Sequence, residues 1–410
     1  MSAPSAPRIL AGLVAGLGLG YLAGPGTPFG PALQAVGGIW LDALRMTIIP
    51  LVFALIVTGL GTRLHAGQSG TVARRAIGLF IILLLGSALF GVMLGSAMFA
   101  DWQVMGLDAV RPAPGAAAPE LPALGETLRA LVPANPFASA AQGAIVPIVI
   151  FALFFALALR RTGSARADLL LSVFKAIADT LLVIIGWVLW AAPLGVFVLA
   201  FDAAASSGLS VGAVLAWYVL TRVVGSTILL VLFVAFVAFF ARTPLIAFLR
   251  AALPAQSVAF STQSSLASLP AMIEGARKLG LPDRDAGTVL PLAVALFRIS
   301  APTAIAVAVL ALAHLNGVAL GLPQLALVAA FAALNNLVIA GLPNQISLFA
   351  AYAPVAIAVG VPIELLPLFL AVDTIPDMFA TTANVTADLA VTTVLTEGEA
   401  EQASKQELPA

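Results

Sequence analysis

Cysteine is absent from the 410-residue sequence, and histidine occurs only at His65 and His314. Without cysteine, disulfides and thiolate metal sites are excluded, and two histidines far apart in the chain indicate no metal cluster. Charged residues are also scarce, at 9% against about 25% in an ordinary soluble domain. Hydrophobic residues make up 61% of the chain. An aqueous core cannot bury so many apolar side chains, so we expect lipid to be the solvent for much of the protein.

Several classes of function are excluded by the same composition. The formal net charge is zero, which gives no electrostatic footprint for nucleic acid. The sequence has no nucleotide-binding glycine loop, no cysteine and no histidine cluster, so an intramembrane enzyme or a bound cofactor is not expected. The partners that remain are the lipid bilayer and a small-molecule substrate.

The apolar segments predict an all-α membrane protein, because about 20 apolar residues of helix cross the hydrocarbon layer. The candidate spans are residues 8–24, 38–61, 76–100, 143–160, 169–200, 211–241, 286–313 and 360–395. Two further apolar stretches, 244–276 and 320–355, are interrupted by polar or Gly/Pro clusters at 261–265 and 341–345. Since each half is short, we interpret both as re-entrant helical hairpins. The expected fold is eight transmembrane helices plus two hairpins.

Orientation and organisation follow from charge and repetition. Basic residues gather in the loops on one side of this layout, which predicts that both termini are cytosolic. Sixteen arginines against three lysines, with abundant alanine, indicate a high-GC bacterial genome, so we expect a multi-pass protein of a bacterial inner membrane. A Leu-Pro-Leu unit recurs at 290–292 and 366–368, after each interrupted stretch, as expected for internal inverted repeats with a site between them. The acidic segment 397–410 is predicted to be disordered.

Five polar residues in the last span form the main candidate site. At 100° per residue, Asp373, Asp377, Thr381, Asn384 and Asp388 fall within an arc of about 80° on one helix face. Three carboxylates on one stripe in lipid are costly unless a cation, a substrate ammonium or a shared proton compensates them. The alternative is that the end residues, Asp373 and Asp388, are solvated at the two water interfaces.

Arg298 is the second candidate, because it lies well inside the apolar span 286–313. Pro302 removes a backbone donor one turn later, which predicts an unwound helix around Arg298. A midplane arginine needs a carboxylate partner, and the aspartate stripe can supply one. A static structural salt bridge is the alternative.

The cluster at 261–265 is the third candidate. Gln263, Ser264 and Ser265 offer polar side chains and free backbone amides at a hairpin tip, where helix N-termini attract a carboxylate. Ordinary turn chemistry explains such residues equally well.

Several segments together resemble the dicarboxylate/amino acid:cation symporter family, the glutamate-transporter group. The segments that carry the resemblance are 44–53, 135–137, 148–159, 192–197, 264–270 and 373–389. The last of these is the most specific, because it is similar to the substrate- and sodium-binding eighth span of the family.

The resemblance implies a homotrimer in which a transport domain moves against a fixed scaffold, an elevator mechanism. The scaffold would comprise residues 1–75, with spans 1 and 2, and 101–200, with an exterior connector and spans 4 and 5. The transport domain would comprise span 3 at 76–100 and residues 201–396. The chain would then be a secondary active symporter of small amino acids or dicarboxylates.

The resemblance also implies roles for individual residues. Asp377 would meet the substrate ammonium, and Thr381 and Asn384 would contact its polar groups. Asn384 and Asp388 would help to bind sodium, with Ser87 of the third span beside these ions and Asp373 as a further cation- or proton-coupling group. The tip residues would hold the substrate carboxylate, and those residues are Gln263, Ser264, Ser265, Pro343 and Asn344.

The departures from the family carry a hypothesis of their own. The Asn-Met-Asp-Gly-Thr motif of the seventh span is replaced at 297–301 by a sequence that contains Arg298, and an arginine of the eighth span is replaced by Ala380. Arg298 can act as a tethered counter-ion that reduces or alters sodium coupling, with protons as a substitute, or it can bind the substrate carboxylate. The competing class is a non-transporting sensor or an uncoupled, anion-permeable relative.

Overall fold

The computed structural model describes residues 6–65, 71–100, 102, 132–159, 161–207, 210–338 and 344–406. In this part of the chain all regular structure is helical, as the composition predicts. In chain order the helices are α1 (Ala6–Ala23), α2 (Gly30–His65), α3 (Thr71–Phe99), α4 (Pro136–Ala141), α5 (Ile145–Leu159), α6 (Ser164–Trp190), α7 (Ala192–Ser207), α8 (Ser210–Phe240), α9 (Leu245–Thr262), α10 (Ser265–Lys278), α11 (Asp283–Leu296), α12 (Ser300–Leu315), α13 (Leu322–Val338), α14 (Asn344–Ala358), α15 (Leu366–Val372) and α16 (Thr374–Gln406).

Among the described residues, seven segments are long and apolar enough to cross a membrane. They are Gly30–Thr58, Arg74–Phe99, Ser164–Trp190, Val211–Phe240, Leu245–Thr262, Asp285–Leu315 and Thr374–Glu397. The predicted spans 8–24 and 143–160 correspond to shorter apolar helices, and Leu245–Thr262 is long enough to span although the sequence places it in a hairpin. The multi-span helical architecture is confirmed. Re-entrance of the hairpins stays a prediction.

The predicted span 169–200 is wrong as a single helix. Helix α6 ends at Trp190, and α7 begins at Ala192. Pro193 lacks a backbone N–H and is tolerated in the first turn of a helix but not in its interior, so the chain restarts a helix just before it. The amide of Gly195 then bonds to the carbonyl of Ala191 at 3.0 Å, which closes the first turn of α7.

The predicted unwinding of the seventh span is confirmed. Helix α11 stops at Leu296 and α12 starts at Ser300, with Phe297 at φ −105° and ψ 57° outside the helical region. Pro302 falls in the first turn of α12, where its missing N–H has no intrahelical partner to lose. Phe297 stacks on Phe80 of α3 with ring centroids 4.6 Å apart, so the interruption is packed into the protein and holds Arg298 between two helices.

The last span is also interrupted, and the interruption positions the candidate site. Helix α15 ends at Val372 and α16 starts at Thr374, with Asp373 at the junction. Helix α16 packs against α3 and against α8 to α12, and therefore lies inside the bundle. It continues to Gln406, into the segment 397–410 for which the sequence predicts disorder. The division into scaffold and transport domain stays a prediction.

Candidate functional site

The five stripe residues are all buried in the interior. Asp373 and Asp377 are each 6% exposed, Thr381 5%, Asn384 3% and Asp388 1%. Solvation of Asp373 and Asp388 at the membrane surfaces is therefore not what the structure shows, because neighbouring helices cover both side chains. Buried carboxylates are stable only when ion pairs, hydrogen bonds, a proton or a cation compensate them.

Asp373 is compensated by an arginine that the sequence analysis did not single out. Nη1 of Arg222, in α8, lies 2.9 Å from Oδ1 of Asp373, and both side chains are buried. The same nitrogen donates to the hydroxyl of Tyr218 at 2.7 Å. The signal for this residue was in the sequence, because Arg222 is the only charged residue between positions 211 and 240.

Arg298 lies beside the stripe but does not form the predicted salt bridge. Its side chain is half-buried, and in the described part of the chain it makes no hydrogen bond or ion pair of its own. Its positive charge nevertheless acts on both Asp373 and Asp377. Arg298 therefore acts on the acidic stripe at a distance, and its predicted role in ion coupling or substrate binding stays a prediction.

Two carboxylate oxygens in the stripe have no hydrogen-bond partner within the described residues. They are Oδ2 of Asp377 and Oδ1 of Asp388. Arg298 and Arg222 act electrostatically on Asp377, whereas none of the cationic side chains that the structure describes acts on Asp388. An unpartnered buried carboxylate oxygen costs free energy and is a binding point for an ammonium group or a monovalent cation. The described residues contain no cluster of three or more His, Asp or Glu side chains that could hold a metal ion.

Asn384 is engaged with the interrupted seventh span. Its side-chain oxygen accepts hydrogen bonds from the backbone N–H of Ser300 at 2.9 Å and from the Ser300 hydroxyl at 2.8 Å. The first turn of a helix leaves N–H groups without partners, and Asn384 satisfies one of them for α12. Its side-chain NH2 group is therefore left to donate to a substrate, whereas a sodium contact would need its backbone carbonyl or a rearranged side chain.

Ser87 also contacts the interrupted span. Its hydroxyl donates to the carbonyl of Ile299, and Thr303 donates to the carbonyl of Ser87 at 2.8 Å. The structure therefore places this predicted cation-coupling residue against the unwound segment, where carbonyl groups have lost their helical partners. Ser87 and Asn384 hold opposite sides of this segment.

The turn between α9 and α10 carries the third group of candidate residues. Gln263 adopts a left-handed backbone with φ 54°, and Ser264 caps α10 by accepting from the amide of Ala267 at 3.2 Å. Phe260 meets Phe379 of α16 edge-on at 5.5 Å between ring centroids. This contact packs α9 on the side of α16 that carries Phe379, about 200° around the helix from Asp377 and therefore away from the stripe. The predicted role of Gln263, Ser264 and Ser265 in holding a substrate carboxylate stays a prediction.

The second interrupted stretch is described only in its two helices. Pro343 and the side chain of Asn344 lie outside the described residues, and their predicted roles stay predictions. Tyr352 of α14 does reach the site: its ring centroid lies 5.9 Å from the guanidinium carbon of Arg222. Helix α14 therefore contributes an aromatic wall to the Arg222–Asp373 pair.

Fold and site together define a polytopic α-helical membrane protein with a charged, incompletely paired site enclosed by interrupted helices. Such sites at helix interruptions are typical of secondary transporters. The chain belongs to the sodium:dicarboxylate symporter family, whose model matches residues 6–397. Membership confirms the resemblance seen in the sequence and identifies the chain as a membrane transporter and not an enzyme.

Three relatives illustrate the range of the family. The proton/glutamate-aspartate symporter of Escherichia coli (strain K12) is 25% identical over 90% of this chain and 85% of its own length. The proton/sodium-glutamate symport protein of Bacillus subtilis (strain 168) is 26% identical over 96% of this chain and 92% of its own. The neutral amino acid transporter B(0) of Bos taurus is 28% identical over 93% and 76%, respectively.

Proposed function

We propose that the chain is a secondary active symporter of small amino acids, or of dicarboxylates, in a bacterial inner membrane. The observation that carries the proposal is the buried stripe on α16, in which Asp377 and Asp388 each keep an unpartnered oxygen beside an interrupted helix. One acid is available for a substrate ammonium and the other for a coupling cation, sodium or proton. Elevator-type movement and a homotrimer are proposed from the family resemblance.

An amino acid fits the charges of this site better than a dicarboxylate. Asp377 offers a carboxylate for an ammonium group, and Arg298 offers a guanidinium with free donors for one carboxylate. Ala380 is 4% exposed and supplies no charge for a second carboxylate. A zwitterionic substrate with an uncharged side chain therefore matches each of its charges with one group of opposite sign.

Arg298 has two proposed roles that make different predictions. As a tethered counter-ion it replaces one sodium, so Arg298→Met should increase the dependence of uptake on sodium. As the ligand of the substrate carboxylate it should, when changed to Met, raise the substrate KM about tenfold or more and leave the coupling ion unchanged, because a charge-assisted hydrogen bond is lost. Uptake into proteoliposomes with and without sodium and proton gradients separates the two.

The matched control is Arg250→Met, which removes an exposed arginine of α9 and should behave like the parent. If Arg298→Met also behaved like the parent in both measurements, both roles would be wrong. The same assay, run with a panel of radiolabelled amino acids and dicarboxylates, tests the proposed function itself. Flux without saturation would instead indicate an uncoupled pore, and binding without flux would indicate a sensor.

A further inference from the structure

The Arg222–Asp373 pair sits in a closely packed aromatic enclosure. Tyr218 and Arg222 are one helical turn apart on α8, and Phe369 and Asp373 are one turn apart on the facing segment. The rings of Tyr218 and Phe369 stack at 4.1 Å and 11°, while Arg222 bonds Asp373 at 2.9 Å. The aromatic ring of each segment therefore faces the ring of the other, and the charged group of each faces the opposite charge. The guanidinium carbon of Arg222 is 5.6 Å from the centre of the Tyr218 ring.

Four charged groups form one electrostatic cluster at this end of the stripe. Asp373 and Asp377 are the two acids, and Arg222 and Arg298 are the two bases that act on both. When both carboxylates are ionised, the two carboxylates and the two guanidiniums sum to zero. Because the side chains of Arg222 and Asp373 are 4% and 8% exposed, solvent screens this pair little, and the charge balance around Asp373 governs whether it binds a cation.

We propose that Arg222 is a built-in counter-ion that makes this four-charge cluster neutral without a bound ion, so that the cluster takes up no coupling cation. Asp373, which the sequence analysis assigned to cation coupling, is then a structural acid, and Arg222 is its positioning residue. The neutral cluster suits a zwitterionic substrate, since binding one adds no net charge. The part of this inference that concerns transport rests on the proposed function. The part that concerns ion binding is independent of it.

The decisive variant is Arg222→Gln, which gives the cluster a net charge of minus one. This net charge is the same whether Arg298 then pairs with Asp373 or with Asp377. A buried, uncompensated carboxylate must take up a proton or a cation. The groups that face Asp373 are Tyr218 and Arg222 of α8, Tyr352 of α14, Arg298 and Asp377, so no further base can replace Arg222 from the described residues.

The experiment measures thermal unfolding of the purified full chain against sodium at fixed pH, and against pH at fixed sodium. The folded Arg222→Gln variant should bind one sodium ion or proton more than the parent. Once that ion saturates the variant, each tenfold rise in its activity should lower the equilibrium constant for unfolding about tenfold more than in the parent. The double variant Arg222→Gln/Asp373→Asn restores neutrality and should return to the dependence of the parent. Arg222→Lys keeps the charge and should also resemble the parent.

A purely structural salt bridge predicts another result. Arg222→Gln would then unfold at lower temperature with the ion dependence of the parent, and that outcome overturns the proposal, as does a double variant that keeps the added dependence. In proteoliposomes, Arg222→Gln should require one more cation for each substrate. Absence of saturable uptake by the parent would contradict the proposed function and leave the unfolding measurement to decide on Arg222.

Discussion

Asp388 is the acid of the stripe with the least compensation. It is 1% exposed, its Oδ1 has no hydrogen-bond partner, and no basic side chain of the described residues acts on it. The neutral cluster around Arg222 lies toward the other end of the stripe, so the two ends of the same helix face differ in how their carboxylates are compensated. The charge of Asp373 is balanced by a side chain of the protein, whereas the charge of Asp388 needs a bound cation or a proton from the medium.

We therefore expect Asp388→Asn to abolish the stabilisation of the protein by its coupling ion. In buffer without sodium the variant should be more stable than the parent by about 1–3 kcal/mol, since a buried carboxylate without a compensating positive charge is replaced by a neutral amide. Thermal unfolding with and without sodium measures both effects. Asp179→Asn, on the exposed face of α6, is the matched control. A variant less stable than this control in sodium-free buffer would contradict the prediction.

Among individual residues, the stripe and Arg298 were predictable from the sequence. The partner of Asp373 was not assigned. Spacing along one helix places five polar residues on one face, because helical periodicity is fixed by the backbone. Pairing between α8 and α16 depends instead on how two helices distant in sequence pack. The isolated charge at Arg222 was detectable, but its position alone did not distinguish Asp373 from Asp377 or Asp388 as its partner.

Among the elements, the turn between α9 and α10 carries local strain. Gln263 is the only residue other than glycine with a positive φ in the described chain, and such a backbone costs a side-chain-bearing residue about 1–2 kcal/mol. We expect Gln263→Gly to raise the free energy of unfolding by about 1 kcal/mol while raising the substrate KM, because the amide is lost from the tip. Thermal unfolding and concentration-dependent uptake measure the two changes.

Gly280→Ala is the converse control for this prediction. Gly280 also has a positive φ, of 74°, with open space where a Cβ would lie, so alanine there should lower stability by a similar amount through backbone strain alone. If Gln263→Gly were stabilising with unchanged KM, the side chain of Gln263 would have no part in binding. A destabilised Gln263→Gly variant would mean that the side chain makes contacts worth more than the strain.

Interruptions in helices were predictable where a polar or charged residue marks them. Arg298 with Pro302 indicated the break between α11 and α12, and the polar residues at 261–265 indicated the turn before α10. The break between α6 and α7 lies within an apolar run, with Pro193 as its local signal, and was missed. A proline can kink a membrane helix without ending it, so the sequence alone did not decide between one helix and two.

In the whole molecule, α1 and α7 are held together by a close backbone approach. A Cβ added to Gly12, Gly16 or Gly20 would lie 2.3, 2.4 or 2.3 Å from the carbonyl oxygens of Pro193, Phe197 and Phe201. Small residues four apart on one helix face allow such contact in lipid, where packing and not the hydrophobic effect joins helices. These three glycines fix the first helix of the chain against the bundle.

We expect Gly16→Ala to lower the free energy of unfolding by about 1–3 kcal/mol, since the two helices must move apart. Gly18→Ala lies two residues away with nothing within 4 Å of the added Cβ, and should be neutral or stabilising by up to about 1 kcal/mol through helix propensity. Thermal unfolding of both variants in one detergent makes the comparison. Equal stabilities would show that α1 does not depend on this contact.

The arginine at position 222 has a thermodynamic consequence for the whole carrier. A sodium ion or proton that enters with substrate delivers work, about 2.3 kcal/mol for one charge crossing 100 mV, which corresponds to more than tenfold in the attainable accumulation ratio. A guanidinium that belongs to the chain returns with it after every cycle and delivers none. A carrier with one coupling cation fewer builds shallower concentration gradients, and its transport depends less steeply on the salt of the medium.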